Sequence, residues 1–505
     1  MLPLTVRYAE HIRGVLSCYD RVVVNGTLPE ICHARAMTGY LAARDIRVFD
    51  YAQWAQPLRE VIRDNAERLA RENGLEIEFI RKKDFRKEER IRALVARRGE
   101  HPGLVHIFSA MEPCASFQPW HDKSSHKTFL KPDSGKCLHY YFYFIDPALG
   151  LCYVRVPTWA PFRLQIYFNG HNALARRLAK RGIPFTLVDN AFVDIGDWKK
   201  AQKLADSWRP ERLHRRLDQL AATYCPVLRH FRAGYHWSFM QAEYATDIVF
   251  KHRSDLQPLY DTLSRTAIHA VKADDVDTFL GRKLDLRYQG ELGNDFHTRI
   301  QGTRIKHYMG PVTIKMYDKH GLVLRIETTA NDVSFFKHHR RVEHRDGSWE
   351  MKTAPLKKSI YSFPILRELM LYANQRYLDF LSALEDPTPG LKNLDKISQP
   401  IRKDERPYRG FNLFDPDDRQ LLLALVRGEF NISGFTNRRL RRLLTHKNGP
   451  QISRLLQRLR LHGLVRKIGR TYKYYLTRLG RSAILAALKL NEAIIIPTLA
   501  QTAHA

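Results

Sequence analysis

Acidic residues are scarce in this chain. Across 505 residues, 53 Asp and Glu stand against 83 Lys and Arg, a formal charge of +30. Solubility asks for a net charge of only about 2–8 in a small domain. An excess of this size points to a polyanionic partner, either nucleic acid or an acidic membrane surface. The membrane alternative lacks a basic amphipathic anchor and a lipidation motif. Long hydrophobic runs are missing too, and none reaches the roughly 20 residues of a membrane-spanning helix. The opening MLPLTVRYAEHIRG is broken by Arg7, Glu10 and His11, so no secretory leader is expected and the cytoplasm is the expected location. Cysteines number six and form no CxxC, which predicts free thiols in a reducing compartment. Cys114, Cys137, His139 and Cys152 have a spacing that matches no standard zinc finger, and buried thiols account for them better. Walker A, GxGxxG, HExxH and GxSxG elements in proper context are absent, which argues against an ATP- or NAD-driven enzyme.

What is present suffices for real cores: 44% hydrophobic and 11% aromatic residues. The length predicts about three domains. Residues 1–110 read as an α/β domain, with a β-branched run at Tyr19–Leu28, a helix over 53–74 and a basic helix over 84–98. Residues 111–385 read as an α+β region. It carries strand hairpins at 138–156 and 312–328, and a mostly helical stretch over 198–280. The Pro-, Gly- and charge-rich segment 386–414 reads as a linker. The expected class is therefore a multidomain α/β (α+β) chain with a mixed sheet.

The last domain, 415–490, has its own signature. From Asn431 to Leu490 there are fifteen Lys or Arg and no Asp or Glu. Helices are predicted at Asp417–Arg427, Asn437–Leu444 and Gln451–His462, then strands at Leu464–Ile468 and Tyr472–Leu476, then a helix from about Thr477. In Gln451–His462, Ile452, Leu455, Leu456 and Leu459 form a core stripe at i, i+3, i+4 and i+7. The stretch ISRLLQRLRLHGLVRKIGRTYKYYLTRLG resembles the recognition helix and wing of MarR-type winged helix-turn-helix regulators. That resemblance implies binding of double-stranded DNA. It places Ser453, Arg454, Gln457 and Arg458 toward the major groove, and Arg466, Lys467, Arg470 and Lys473 on phosphates. RNA stays open as a partner, and a homodimer is compatible with the pattern.

Chemistry is concentrated in GTRIKHYMGPVTIKMYDKHGLVLRIETTANDVSFFKHHRR, residues 302–341. Two strands bring Lys315, Tyr317, Arg325 and Glu327 onto one charged patch. The pair KMYDK and LRIE weakly resembles a strand pair of rolling-circle replication initiators. The resemblance implies that Glu327 is a metal ligand and that a tyrosine attacks DNA, with Tyr361 and Tyr377 as candidates. A salt-bridge ladder is the structural alternative. Asp20 opens the first strand, and Glu243 and Asp247 lie at i and i+4 of an expected helix. Asp20, Asp247 and Glu327 are the expected catalytic and metal-binding carboxylates, for Mg²⁺ or Mn²⁺. Lys337, Arg340 and Arg341 in FFKHHRR are expected to contact nucleic acid, because so many cations in a row are hard to bury. Together these features predict a DNA-processing protein of a mobile element: a replication initiator, nickase or transposase-like enzyme. The alternatives are a large regulator without catalysis and an RNA-binding component of a ribonucleoprotein.

Overall fold

Long apolar strands organise the first part of the chain. The computed structural model of the protein describes residues 3–82, 84–281, 296–301, 303–344, 346–385, 388–469 and 471–502. The first six strands are β1 (Ile12–Thr27), β2 (Ile77–Phe79), β3 (Gly103–Asp122), β4 (Lys127–Asp146), β5 (Gly150–Pro157) and β6 (Leu164–Asn169). A separate hairpin, β7 (Phe185–Val188) and β8 (Ala191–Ile195), follows. Then come β9 (His236–Phe250), β10 (Phe296–Gln301), β11 (Arg304–Met309), β12 (Val312–Lys319) and β13 (Val323–Ala330). All except β7 and β8 join an eleven-stranded sheet, in the order β10-β11-β12-β13-β9-β1-β6-β5-β4-β3-β2. Only β2 and β3 pair in parallel; the other neighbours are antiparallel.

Both faces of this sheet are covered, so its middle strands read as continuous apolar runs rather than alternations. β4 shows why. Tyr140, Phe142 and Phe144 enter a large core with the helices Tyr51–Glu72 and Pro210–Tyr224. Tyr141, Tyr143 and Ile145 pack on the opposite face with Ile91 of the helix Lys87–Arg98. Each such ring, buried, contributes about 1.5–3 kcal/mol. The large core also takes Leu256, Leu259 and Leu263 of Arg253–His269, and Leu366, Met370 and Tyr377 of Phe363–Glu385. On the other face, Leu174 and Leu178 of Gly170–Lys180 and Ala201 and Ala205 of Trp198–Asp206 cover Leu16 and Cys18 of β1.

Three expectations are corrected. Residue 110 is not a domain boundary: β3 runs through it, and residues 1–385 form one compact unit. The helix expected around Glu243 and Asp247 is instead the strand β9, at the centre of the sheet, within a stretch 198–280 that is otherwise mostly helical as expected. HWSFMQAEYATDIVF hides its strand character because both faces of its second half are buried. Segment 386–414 is more than a linker. It contains the helix Thr388–Ser398 and short strands at Ile401–Lys403 and Arg406–Tyr408. Ile397 and Phe411 belong to the core of the second unit, Asp386–Ala505.

That second unit places helices at Pro416–Leu425, Gly428–Ser433, Asn437–Leu443 and Gly449–Leu461. A two-stranded antiparallel hairpin, Val465–Lys467 with Tyr474–Leu476, and the helix Arg478–Leu490 follow. Asn448 caps the fourth helix by accepting from Gln451 N, and Pro450 stands in its first turn, where a missing N–H costs nothing. Among the described residues no helix is long and apolar enough to cross a membrane.

Candidate functional site

The site lies on the sheet face that carries Leu16 and Cys18. Strand pairing aligns Lys315 with Glu327, and Tyr317 with Arg325 and then Asp247. Glu243 pairs with Thr329. Glu243 and Asp247 share this face because β9 is a strand, where i and i+4 point the same way, and not because they ride on a helix.

Asp20 reaches the face through a bulge. Pairing runs Tyr19 with Tyr244 and then Val22 with Ala242, leaving Asp20 and Arg21 opposite the single residue Glu243. Tyr19 and Val22 both enter the large core, so the two residues between them turn to the site. Bulges of this kind re-aim side chains beside functional centres.

Asp20, Glu243 and Glu327 thereby bring carboxylate oxygens within 4.8 Å of one another. With Arg21, Gln241, Arg304, Lys315 and Tyr317 they line an open pocket. Lys315 Nζ donates to Glu327 Oε1 at 2.6 Å and reaches Glu243 Oε1 at 3.4 Å. Tyr317 OH donates to Glu327 Oε2 at 2.7 Å, and Thr329 Oγ1 donates to Glu243 Oε1 at 3.2 Å. Burial raises the Glu243 carboxyl above the ordinary value, and the charge of Glu327 adds to this against Lys315. Burial opposes the Lys315 charge, yet Glu327 and Glu243 raise its pKa overall. Burial and the Glu327 charge push the Tyr317 phenol well up, so it is a hydrogen-bond donor at neutral pH.

Asp247 does not join this cluster, which corrects its expected role as a ligand. Its two oxygens are taken by Arg325, with Nε to Oδ1 and NH2 to Oδ2 both at 2.6 Å. Arg325 is 0% exposed. Its remaining donors reach Asn190 O at 2.6 Å and Asp20 Oδ2 at 3.3 Å. Asp20 also accepts from Asn169 Nδ2 and Asn190 Nδ2, each at 2.7 Å. His171 stands between Asp20 Oδ1 (3.1 Å) and Asp247 Oδ2 (3.5 Å). Burial alone would raise the pKa of Asp20, but His171 and Arg325 hold it far below the carboxylate range. Asp247 is likewise lowered, with Arg325 overcoming burial. Behind the pocket thus lies a buried, hydrogen-bonded layer that includes Asp20 and fixes it. His171, Asn169, Asn190 and Arg21 carry no sequence signal that marks them; proximity alone recruits them.

Gly170 makes this layer accessible to β1. A Cβ there would sit 2.0 Å from Tyr19 O. Only glycine lets the start of the 170–180 helix approach β1 so closely, with His171 as the next residue.

Tyr361 lies outside the pocket, half-exposed, and its OH is 2.9 Å from His214 Nδ1. Tyr377 is wholly buried against His307 (3.0 Å). Neither expected nucleophile therefore meets the carboxylates, and the tyrosine that does is Tyr317. Among the described residues the cysteines form no metal cluster; Cys137 Sγ lies 3.8 Å from His139 Nδ1, whereas Cys152 packs in the large core.

Lys337, Arg340 and Arg341 lie on a separate hairpin, β14 (Lys337–Glu343) with β15 (Trp349–Pro355), outside the pocket. The Arg341 guanidinium sits 4.5 Å over Trp349. In the second unit, Ser453, Arg454, Arg466, Lys467 and Lys473 are exposed and Gln457 half-buried. Arg470 falls outside the described residues. Arg458 is corrected: it is 5% exposed and forks onto Asp418 at 2.7 and 2.9 Å, with Nε donating to Arg409 O at 2.9 Å. It borders the apolar stripe between Leu455 and Leu459, so an ion pair with the first helix draws it inward.

Comparison with protein-family models, with curated proteins and with solved structures finds no match to this chain.

Proposed function

We propose that the chain is a nucleic-acid-processing protein of a mobile element, a nickase, initiator or transposase-like enzyme, whose first unit cleaves phosphodiesters with Mg²⁺ or Mn²⁺. The observation that supports this most is the convergence of Asp20, Glu243 and Glu327, from three adjacent strands, in a pocket rimmed by Arg21, Arg304 and Lys315. Three carboxylates are hard oxygen donors of the kind that Mg²⁺ and Mn²⁺ prefer. A bound divalent ion supplies Lewis-acid polarisation and an activated water.

The chain's own residues do the rest. Arg21 and Arg304 attract and orient a phosphate. Lys315 and Tyr317 hold Glu327 by one oxygen each. The Arg325–Asp247 pair and His171 keep Asp20 ionised and in place. The second unit, with its helix order and two-stranded hairpin, supports the winged-helix reading, with Arg454, Arg466, Lys467 and Lys473 on duplex DNA.

The test is cleavage of supercoiled plasmid and labelled single strands with Mg²⁺ or Mn²⁺, comparing the natural protein with Glu327→Gln and Glu243→Gln. Metal-dependent nicking lost in both variants is expected. A covalent protein–DNA adduct lost in Tyr317→Phe would assign the attack to Tyr317 rather than to water. Absence of cleavage on every substrate, with salt-sensitive duplex binding retained, would leave a regulator.

A further inference from the structure

A second concave surface on the first unit shares no residue with the carboxylate pocket. It encloses about 780 Å³ between the helices Gly170–Lys180 and Pro210–Tyr224, the corner at Leu204–Arg209, and the β4–β5 turn. Half of its sixteen lining residues are Arg or Lys, and none is Asp or Glu. The acidic residues of the longer helix, Glu211 and Asp218, do not line it.

The cations form two facing stripes. Arg176 with Lys180, and Arg177 with Arg181, stand four apart. Arg209, Arg212 and Arg215 follow at threes. Both spacings keep side chains on one helical face. Some of these charges have structural duties: Arg216 pairs with the buried Asp146, and Arg177 lies 4.1 Å over the Trp208 ring. Lys180, Arg181, Arg209, Arg212 and Arg215 are exposed and have no ion-pair partner among the described residues. Converging like charges repel one another and focus a positive field on whatever enters the groove.

The floor is different. Leu149, Leu204, Leu213 and Trp208 supply apolar surface, the Trp208 ring lying under the Arg177 guanidinium. Cationic walls over an apolar floor match a strand whose phosphates lie on the cations and whose bases turn in to apolar surface. The volume is that of a large ligand pocket, too small for a duplex.

We propose that this groove binds single-stranded nucleic acid, gripping the phosphodiester backbone with Arg181, Arg209, Arg212 and Arg215. The proposal extends the nucleic-acid reading above but does not depend on cleavage.

The test uses the full chain, in EDTA so that no cleavage intervenes, and reads fluorescence anisotropy of labelled single-stranded and duplex 20-mers over a salt series. The triple variant Arg181→Gln/Arg212→Gln/Arg215→Gln removes three phosphate contacts. Its single-strand salt slope should flatten by about 2, and affinity at 0.1 M salt should fall about a hundredfold. The matching Arg→Lys triple should keep most of both. Duplex binding should change far less. An unchanged single-strand slope in the Gln triple would overturn the proposal. So would retained strand binding with lost binding to phosphatidylserine vesicles, which would assign the groove to a lipid surface. Because the assay contains no metal, a failure of the cleavage experiment leaves this result standing.

Discussion

Glu243 should be a residue that the fold would be more stable without. At the cluster's limit of 4.8 Å, each like-charge pair costs about 3–4 kcal/mol at an effective dielectric of about 20. Glu243 faces two such partners, Asp20 and Glu327. Lys315 at 3.4 Å offsets about 5 kcal/mol on the same scale. The balance is roughly 2 kcal/mol against the ionised Glu243, before desolvation, which adds to it, and the Arg21 charge, which offsets part of it. The raised pKa of Glu243 has the same sign. A Gln side chain keeps an oxygen to accept from Lys315 and Thr329, and it removes the charge. Glu243→Gln should therefore stabilise the metal-free protein by about 1–2 kcal/mol, read as a higher urea midpoint in EDTA at pH 7. In the natural protein, Mg²⁺ at a hundred times its Kd should add about 2.7 kcal/mol; the variant should gain little. A ligand cluster predicts this crossing of the two proteins on adding metal. If Glu243→Gln is destabilised in EDTA, and Mg²⁺ shifts neither protein, then Lys315 holds Glu243 as a structural salt bridge and the metal site is wrong.

Other outcomes follow from the buried charges. Arg325→Met strips Asp247 of its fork and should cost about 3–5 kcal/mol, measured by urea unfolding; a loss below about 1 kcal/mol would deny the buried layer its role. His139 and His307 are buried, with pKa values lowered to about 4, chiefly by burial. Below the free value of about 6.5 the unfolded chain binds more protons than the fold. Their contribution is thus complete above pH 6.5 and is lost progressively toward pH 4, by about 3 kcal/mol each. His307→Gln should flatten the fall of unfolding free energy between those pH values, and an unchanged slope would refute it. In the second unit, Arg458→Met should destabilise by about 3–5 kcal/mol. Arg454→Gln should leave the melting curve unchanged and reduce the duplex salt slope by about 0.9; the reverse pattern would restore Arg458 to the DNA face.

Much of the scaffold was legible because tight turns and helical periodicity leave strong local patterns. The 312–328 hairpin, the 138–156 hairpin and the helices of the last unit stood out through turn residues and periodicity. β9 did not: like β4 and β13 it is buried on both faces over much of its length, but it pairs only with the distant β1 and β13, so no hairpin turn marks it. The site was half legible. Glu327 and its partners Lys315 and Tyr317 sit on one visible hairpin, so cross-strand pairing was enough. Asp247 was exchanged for Glu243, since nothing in QAEYATDIVF says which carboxylate a distant arginine will take. Tyr361 was a candidate only through the initiator resemblance, and its place is fixed by contact with His214 on the 210–224 helix. Arg458 shows the same limit, as a periodic stripe marks the core but not the ion pair at its border.

The bulge at Asp20–Arg21 has a counterpart. On β9, pairing passes from Val23–Gln241 to Val24–Phe239, so Met240 is the extra residue there. One strand gains a residue and its neighbour gains one shortly after, and the original registration returns. Between these two points the strands run out of step by one. The mismatch is therefore local: it turns Arg21 and Gln241 toward the pocket while the flanking core residues keep their partners. Deleting residue 20 or residue 240 would remove only the extra residue, so that one bulge is lost and every flanking pair keeps its partner. Deleting both would give a regular ladder from Tyr19 to Asn25 and take the Asp20 carboxylate out of the pocket, leaving Glu243 and Glu327.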